Sequence, residues 1–156
     1  MSASPFLRIA AFVAFVVPVA AIATAAGGGG EVRFLDAGSV AAAFQKGAPL
    51  IEVPGYKIHA SRRTGPGQAE IHTRDTDILH VLEGSAVIVT GGEVEGGRET
   101  APEEIRGSAI RGGTARELHP GDVMVVPDSV PHWFREVNGP FLYYVVKVPT
   151  GPAVAS

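Results

Sequence analysis

An all-β domain, folded as an antiparallel barrel or sandwich, is what this sequence predicts, and three observations carry that expectation. Between residues 50 and 148, short runs rich in Val and Ile repeat with the period of two that sends alternate side chains to opposite faces of a strand. Glycine (20 residues) and proline (12 residues) fall between those runs, as tight turns require. Beyond residue 47 no stretch carries the 3.6-residue period of an amphipathic helix, so nothing there supplies the crossovers of a parallel sheet.

Taken in order, residues 1–25 read as an export signal. Arg8 is their only charge, an apolar stretch runs from Ile9 to Ile22, and Ala23-Thr24-Ala25 has the small-x-small pattern of a cleavage site. Pro18 and the alanine content make that stretch a poor bilayer span. With neither a twin-arginine pair nor a cysteine to lipidate, the expected product of the general secretory route is secreted or periplasmic and free of the membrane after cleavage. Removing 25 of the 156 residues leaves 131, enough for one domain with its own core. Residues 26–34, with the tetraglycine Gly27 to Gly30, form a flexible leader; the barrel domain spans 35–150, and 151–156 form a tail.

Within the domain, Asp36 or Ser39 caps a short helix from Val40 to Lys46, which Gly47 ends. Nine strands follow: Leu50 to Val53, Tyr56 to Arg62, Gln68 to His72, Asp77 to Leu82, Ala86 to Thr90, Arg116 to Leu118, Val123 to Val126, His132 to Val137 and Phe141 to Val148. Pro54-Gly55, Gly65-Pro66-Gly67, Glu83-Gly84, Gly91-Gly92, Pro120-Gly121-Asp122 and Asn138-Gly139-Pro140 supply turns between them. Residues 91–113, rich in Gly, Glu and Arg, break the rhythm and read as a solvated hairpin or loop inserted in the barrel, or as a mobile flap over its mouth.

Composition narrows the chemistry. Without cysteine there is no disulfide framework, no thiolate zinc site and no thiol nucleophile, so any metal must be held by His, Asp or Glu. A net charge of −3 without a Lys/Arg run excludes the electrostatic footprint of nucleic-acid binding. Glu70 and His72, two apart on one strand, project to one face; a short turn brings in Asp77 on the next strand, and His132 opens another just after Pro131. If these strands are neighbours, two oxygens and two nitrogens converge on one cation.

Two blocks of the chain resemble the cupin superfamily. Gly67-x2-Glu70-x-His72-x4-Asp77-x6-Gly84 is similar to the first cupin motif, and Gly121-x5-Pro127-x-Ser129-x2-His132 to the second. The resemblance covers roughly Val53 to Val148 and implies a single-domain jelly roll. It places Glu70, His72, Asp77 and His132 at the four metal-ligand positions, where the usual first His is Glu70 and the usual Glu is Asp77. Ser129 replaces the glycine of the second motif, and Glu136 stands where an Asn often follows. Asp is one methylene shorter than Glu, so Asp77 can fall short of the metal, with Asp75 in the turn as a substitute.

Leu79 and Val81 share a face with Asp77, and Phe134 with His132, which predicts an apolar pocket for a small organic ligand around the metal. His59 either lines that pocket or is a hydrogen-bonded structural histidine. His80 faces away from Asp77, His119 reads as a surface turn residue, and Arg62-Arg63 as a solvated strand end, with contact to a substrate carboxylate as the alternative. The resemblance also implies a homodimer formed through one sheet, for which Trp133 with Tyr143 or Tyr144 supplies a candidate surface. The expected function is that of a divalent-metal barrel acting on a small molecule, with oxygenase, isomerase or lyase chemistry; zinc or manganese comes first, then iron, with copper and nickel also admitted. The alternative is a non-catalytic barrel that binds a small or carbohydrate-like molecule, with or without metal.

Overall fold

A computed structural model describes residues 31–151. The export signal and most of the Gly-rich leader lie outside the described residues, as does the tail beyond Gly151. Among the described residues no helix is long and apolar enough to cross a membrane.

Among the described residues, one helix precedes eleven strands: α1 (Ala37–Lys46), β1 (Ala48–Val53), β2 (Tyr56–Arg63), β3 (Ala69–His72), β4 (Asp75–Thr90), β5 (Glu93–Glu95), β6 (Arg98–Ala101), β7 (Glu104–Gly107), β8 (Ala109–Arg111), β9 (Thr114–Leu118), β10 (Val123–Val126) and β11 (His132–Pro149). Asp36, not Ser39, is the N-cap of α1: its carboxylate accepts from the Ser39 amide at 2.9 Å and from the Ser39 hydroxyl at 2.8 Å, so the helix starts three residues earlier than expected. Gly47, at φ 65°, ends it in the left-handed conformation. The helix packs on β1 and β2, and its Phe44 reaches Tyr144 of β11 edge to face at 5.0 Å.

Two long strands organise the barrel. β4 and β11 pair antiparallel along their whole length, from Asp75↔Pro149 to Thr90↔His132. Beside them, β10 and β9 pair with the first and second halves of β4. β2 pairs with the second half of β11, and β3 meets it at His132. The two halves curl toward each other, and the core between them draws Leu79, Val81, Ala86 and Ile88 from β4, Phe134, Phe141, Tyr143 and Val145 from β11, with Leu118 and Val126 closing it. Phe141, Ile88 and Val81 are its most deeply buried large side chains.

Three expectations need correcting. Glu83-Gly84 and Asn138-Gly139-Pro140 do not separate strands, because they lie opposite each other (Asn138↔Ser85, Leu142↔Glu83) and the two strands bend together through a shift of register, with the pairing resumed on either side. Gly84 permits this: at φ 76°, a Cβ there would run into the Pro140 carbonyl. Residues 91–113, expected as a hairpin or a loop, form neither a loop nor a single hairpin but four short strands, β5 to β8. The Val94↔Ile110 pair seats the β5/β8 ribbon on Ala69, Val89 and Trp133, while β7 pairs with β3 and extends the sheet. Finally, the aromatic side chains expected on an exposed sheet are engaged elsewhere. Trp133 belongs to that second cluster and donates to the Gly67 carbonyl at 2.8 Å, Tyr143 is in the core, and Tyr144 lies under α1.

Candidate metal centre

Strand geometry brings together three of the four residues singled out in the sequence. Glu70 and His72 occupy alternate positions of β3, and Glu70 is the register partner of His132 at the start of β11. One potential ligand atom from each of Glu70, His72 and His132 lies within 4.8 Å of the others, and the two imidazole rings are 5.0 Å apart between centroids. His132 is delivered by the turn after Pro127, where Ser129 adopts φ 62° and donates its amide to the His72 carbonyl at 2.7 Å. That left-handed conformation gives the motif's usual glycine its physical reason.

The imidazole of His132 is buried, and its Nδ1 lies 3.2 Å from the Val130 carbonyl, a contact that directs Nε2 toward the cluster. Burial, reinforced by the nearby His72 and opposed by Asp77, lowers the His132 pKa, so it is held neutral as a ligand must be. The three residues line a cavity of about 270 Å³ bounded on its apolar side by Leu79, Phe134 and Val145. The donor set of two imidazoles and one carboxylate, with converging atoms and an anchored second nitrogen, fits a divalent ion.

A protein-family model described as Cupin matches residues 55–154. The chain belongs to the cupin family. The fold of this cupin is similar to that of a protein from Bacillus halodurans (16% identity, 79% of this chain and 86% of that one, TM-score 0.53). It is also similar to an uncharacterized conserved protein with a double-stranded beta-helix domain from Klebsiella pneumoniae (16% identity, 76% and 91%, TM-score 0.50). No curated protein sequence gives a significant match.

Asp77 is beside this cupin's cluster but outside the three-residue group. Both its oxygens accept from Lys147 Nζ, at 2.8 and 2.9 Å, and Oδ2 lies 3.1 Å from His72 Nδ1 and 3.8 Å from His132 Nε2. Burial alone would raise its pKa, but the His72 hydrogen bond and the Lys147 ammonium outweigh that and lower it. Lys147 is the register partner of Asp77 across β4 and β11 and also lies 3.0 Å from His72 Nδ1. Asp75 is at the start of β4, bonded to Lys57 at 3.0 Å.

Of the residues expected to form the pocket, Leu79, Phe134 and His59 line the cavity, the last 3.3 Å from Glu52, whereas Val81 lies deeper, in the packed core. His80 and His119 are exposed, as their positions suggested. Arg63 corrects its expectation: it is not a solvated strand end but points into the cavity, its guanidinium 4.3 Å from the Phe134 ring centroid and its Nε donating to the Tyr143 hydroxyl at 3.0 Å. Arg106 and Glu104 reach the same cavity from β7, bonded to each other. Lys147, Arg106 and Glu104 were the charged cavity groups missed, and Arg63 takes the place its alternative reading gave it. The signal for Lys147 and Arg63 was a charge in phase with inward positions, Lys147 after Tyr143 and Val145, and Arg63 after His59 and Ser61.

Proposed function

We propose that this cupin is an exported metalloprotein that holds a divalent ion on Glu70, His72 and His132 and acts on a small organic molecule in the adjoining cavity, by oxygenase or isomerase/lyase chemistry. The observation that carries the reading is the convergence of those three ligand atoms beside a cavity of small-molecule size. Zinc or manganese is the first expectation, iron the next; a bound ion would supply Lewis-acid chemistry at open coordination positions. Asp77 acts here beside His72, its Oδ2 3.1 Å from Nδ1, while Lys147 neutralises the carboxylate. Leu79, Phe134 and Val145 limit access of water on the other side.

Metal analysis of protein purified without added metal tests this reading. One equivalent in the wild type and its loss in His132→Ala support it; sub-stoichiometric metal indifferent to the substitution contradicts it. A non-catalytic binding barrel is the second reading, favoured by the Lys147 ammonium, which already offsets part of the site's negative charge. A ligand retained unchanged after long incubation would select it. Export is supported by residues 1–25 alone, and a recovered product beginning at Ala26 is the expected mass. A homodimer remains part of the proposal, on the outer face of β10, where Val123 and Val125 stand 63% and 56% exposed.

A further inference from the structure

The charges around the cavity carry the proposed function one step further, to the class of molecule it takes. Three cations, Arg63, Arg106 and Lys147, face three carboxylates, Glu70, Asp77 and Glu104. Two of the carboxylates are spoken for: Asp77 by Lys147 and Glu104 by Arg106. Glu70 is the anion shared by both guanidiniums, 3.9 Å from Arg63 Nη2 and 3.6 Å from Arg106 Nη1, distances that exceed a hydrogen bond. A divalent ion that takes Glu70 as a ligand therefore leaves the cavity with two positive charges in excess and diverts the carboxylate nearest to Arg63.

Arg63 cannot easily turn away to find water. Its side chain is 22% exposed, its Nε is committed to Tyr143, and its face rests on Phe134. Nη1 lies against Gly67, where a Cβ would come within 2.5 Å of it. Gly67 is itself held in place, its amide donating to the Phe134 carbonyl and its carbonyl accepting from Trp133. The guanidinium is thus held in place at the cavity wall, with Nη2 turned toward Glu70 beyond hydrogen-bond distance and able to take a ligand.

Resting on the reading that Glu70 serves as a metal ligand, we infer that the cavity binds a small carboxylate, its carboxylate group held by Arg63 with Arg106 as the second cation. A planar guanidinium pairs with a carboxylate in two parallel hydrogen bonds, and a cavity of about 270 Å³ has room for a small organic acid.

The test is calorimetric titration of manganese-loaded protein with pyruvate and malonate, with pyruvamide and malonamide as neutral counterparts and inorganic phosphate as a competing anion. The acids bind at least about tenfold more tightly than the amides, and Arg63→Met weakens the acids by about 30-fold or more while metal content stays at one equivalent. Arg63→Lys, which keeps the charge and loses the fork, falls between. Equal binding of acids and amides, tighter binding of phosphate, or indifference to Arg63→Met in folded protein overturns the inference. A separate arm needs no metal: Glu70→Gln removes the anion shared by the two guanidiniums, so the metal-free variant binds malonate more tightly than metal-free wild type. If the wild type binds no metal, the metal reading fails and this arm alone decides the inference: a gain in affinity that Arg63→Met then abolishes upholds it, and no gain overturns it.

Discussion

The two ends of the barrel interior are built from the same strands and behave as opposites. Along β4 the inward positions run Asp77, Leu79, Val81 and, past the bend, Ala86 and Ile88; along β11 they run His132, Phe134, then Phe141, Tyr143, Val145 and Lys147. Because β11 bends back opposite β4, its first and last inward residues arrive at one end with Asp77, where Phe134, Tyr143 and Val145 wall the cavity, and Val81, Ala86, Ile88 and Phe141 fill the other. Apolar burial stabilises the lower end, whereas the upper end gathers charges that are tolerable because they are paired or can hold a ligand.

The largest expected effect breaks the apolar end alone. Phe141→Ala empties a fully buried position and costs about 3–5 kcal/mol of stability in denaturant titration, with metal content per folded chain unchanged. At the polar end the corresponding break is electrostatic. Lys147→Met strands a buried Asp77 carboxylate and costs about 3 kcal/mol, and adding Asp77→Leu recovers most of it; a single substitution with no cost would show that the ion pair is solvated.

The contrast also has a pH signature. His132 has a lowered pKa in the folded protein, so the unfolded chain binds a proton first as pH falls below the ordinary imidazole value of about 6.5. Stability of metal-free protein is therefore full above that pH and declines below it, at no more than about 1.4 kcal/mol per pH unit from this group. Asp77, also lowered, adds its contribution above the ordinary carboxylate value and loses it in stronger acid. His132→Ala, which removes the titrating ring, flattens the first decline in urea midpoints between pH 8 and 5. The smallest effect lies away from both ends: Asp36→Ala removes the helix cap, lowers the urea midpoint slightly and leaves the metal content untouched.

How much of this was legible in the sequence follows the same division. Period-two patterning identified inward residues correctly, from Asp77, Leu79 and Val81 to Phe134, and the turn chemistry located nearly every strand. Depth was not legible, since period two gives the face and not the position along the barrel; that is why Val81 was expected beside the metal and lies in the core. Nor was pairing across long separations: Lys147 meets Asp77 across 70 residues, a register that follows from two bends read in the sequence as turns. Arg63 looked like a strand terminus because it adjoins Thr64-Gly65-Pro66, yet its phase with His59 and Ser61 put it inside. Within 91–113 a hairpin and a loop could not be told apart, nor four strands counted, because a single cross-strand apolar pair, Val94 and Ile110, is too small a pattern to stand out among Gly, Glu and Arg.

The most direct test of the central claim is a crystal structure of manganese-loaded protein with anomalous-scattering data. The account predicts one metal peak within bonding distance of Glu70, His72 and His132, with Asp77 still paired to Lys147. No peak among these three residues, or Lys147 displaced and Asp77 coordinating in place of Glu70, would contradict it.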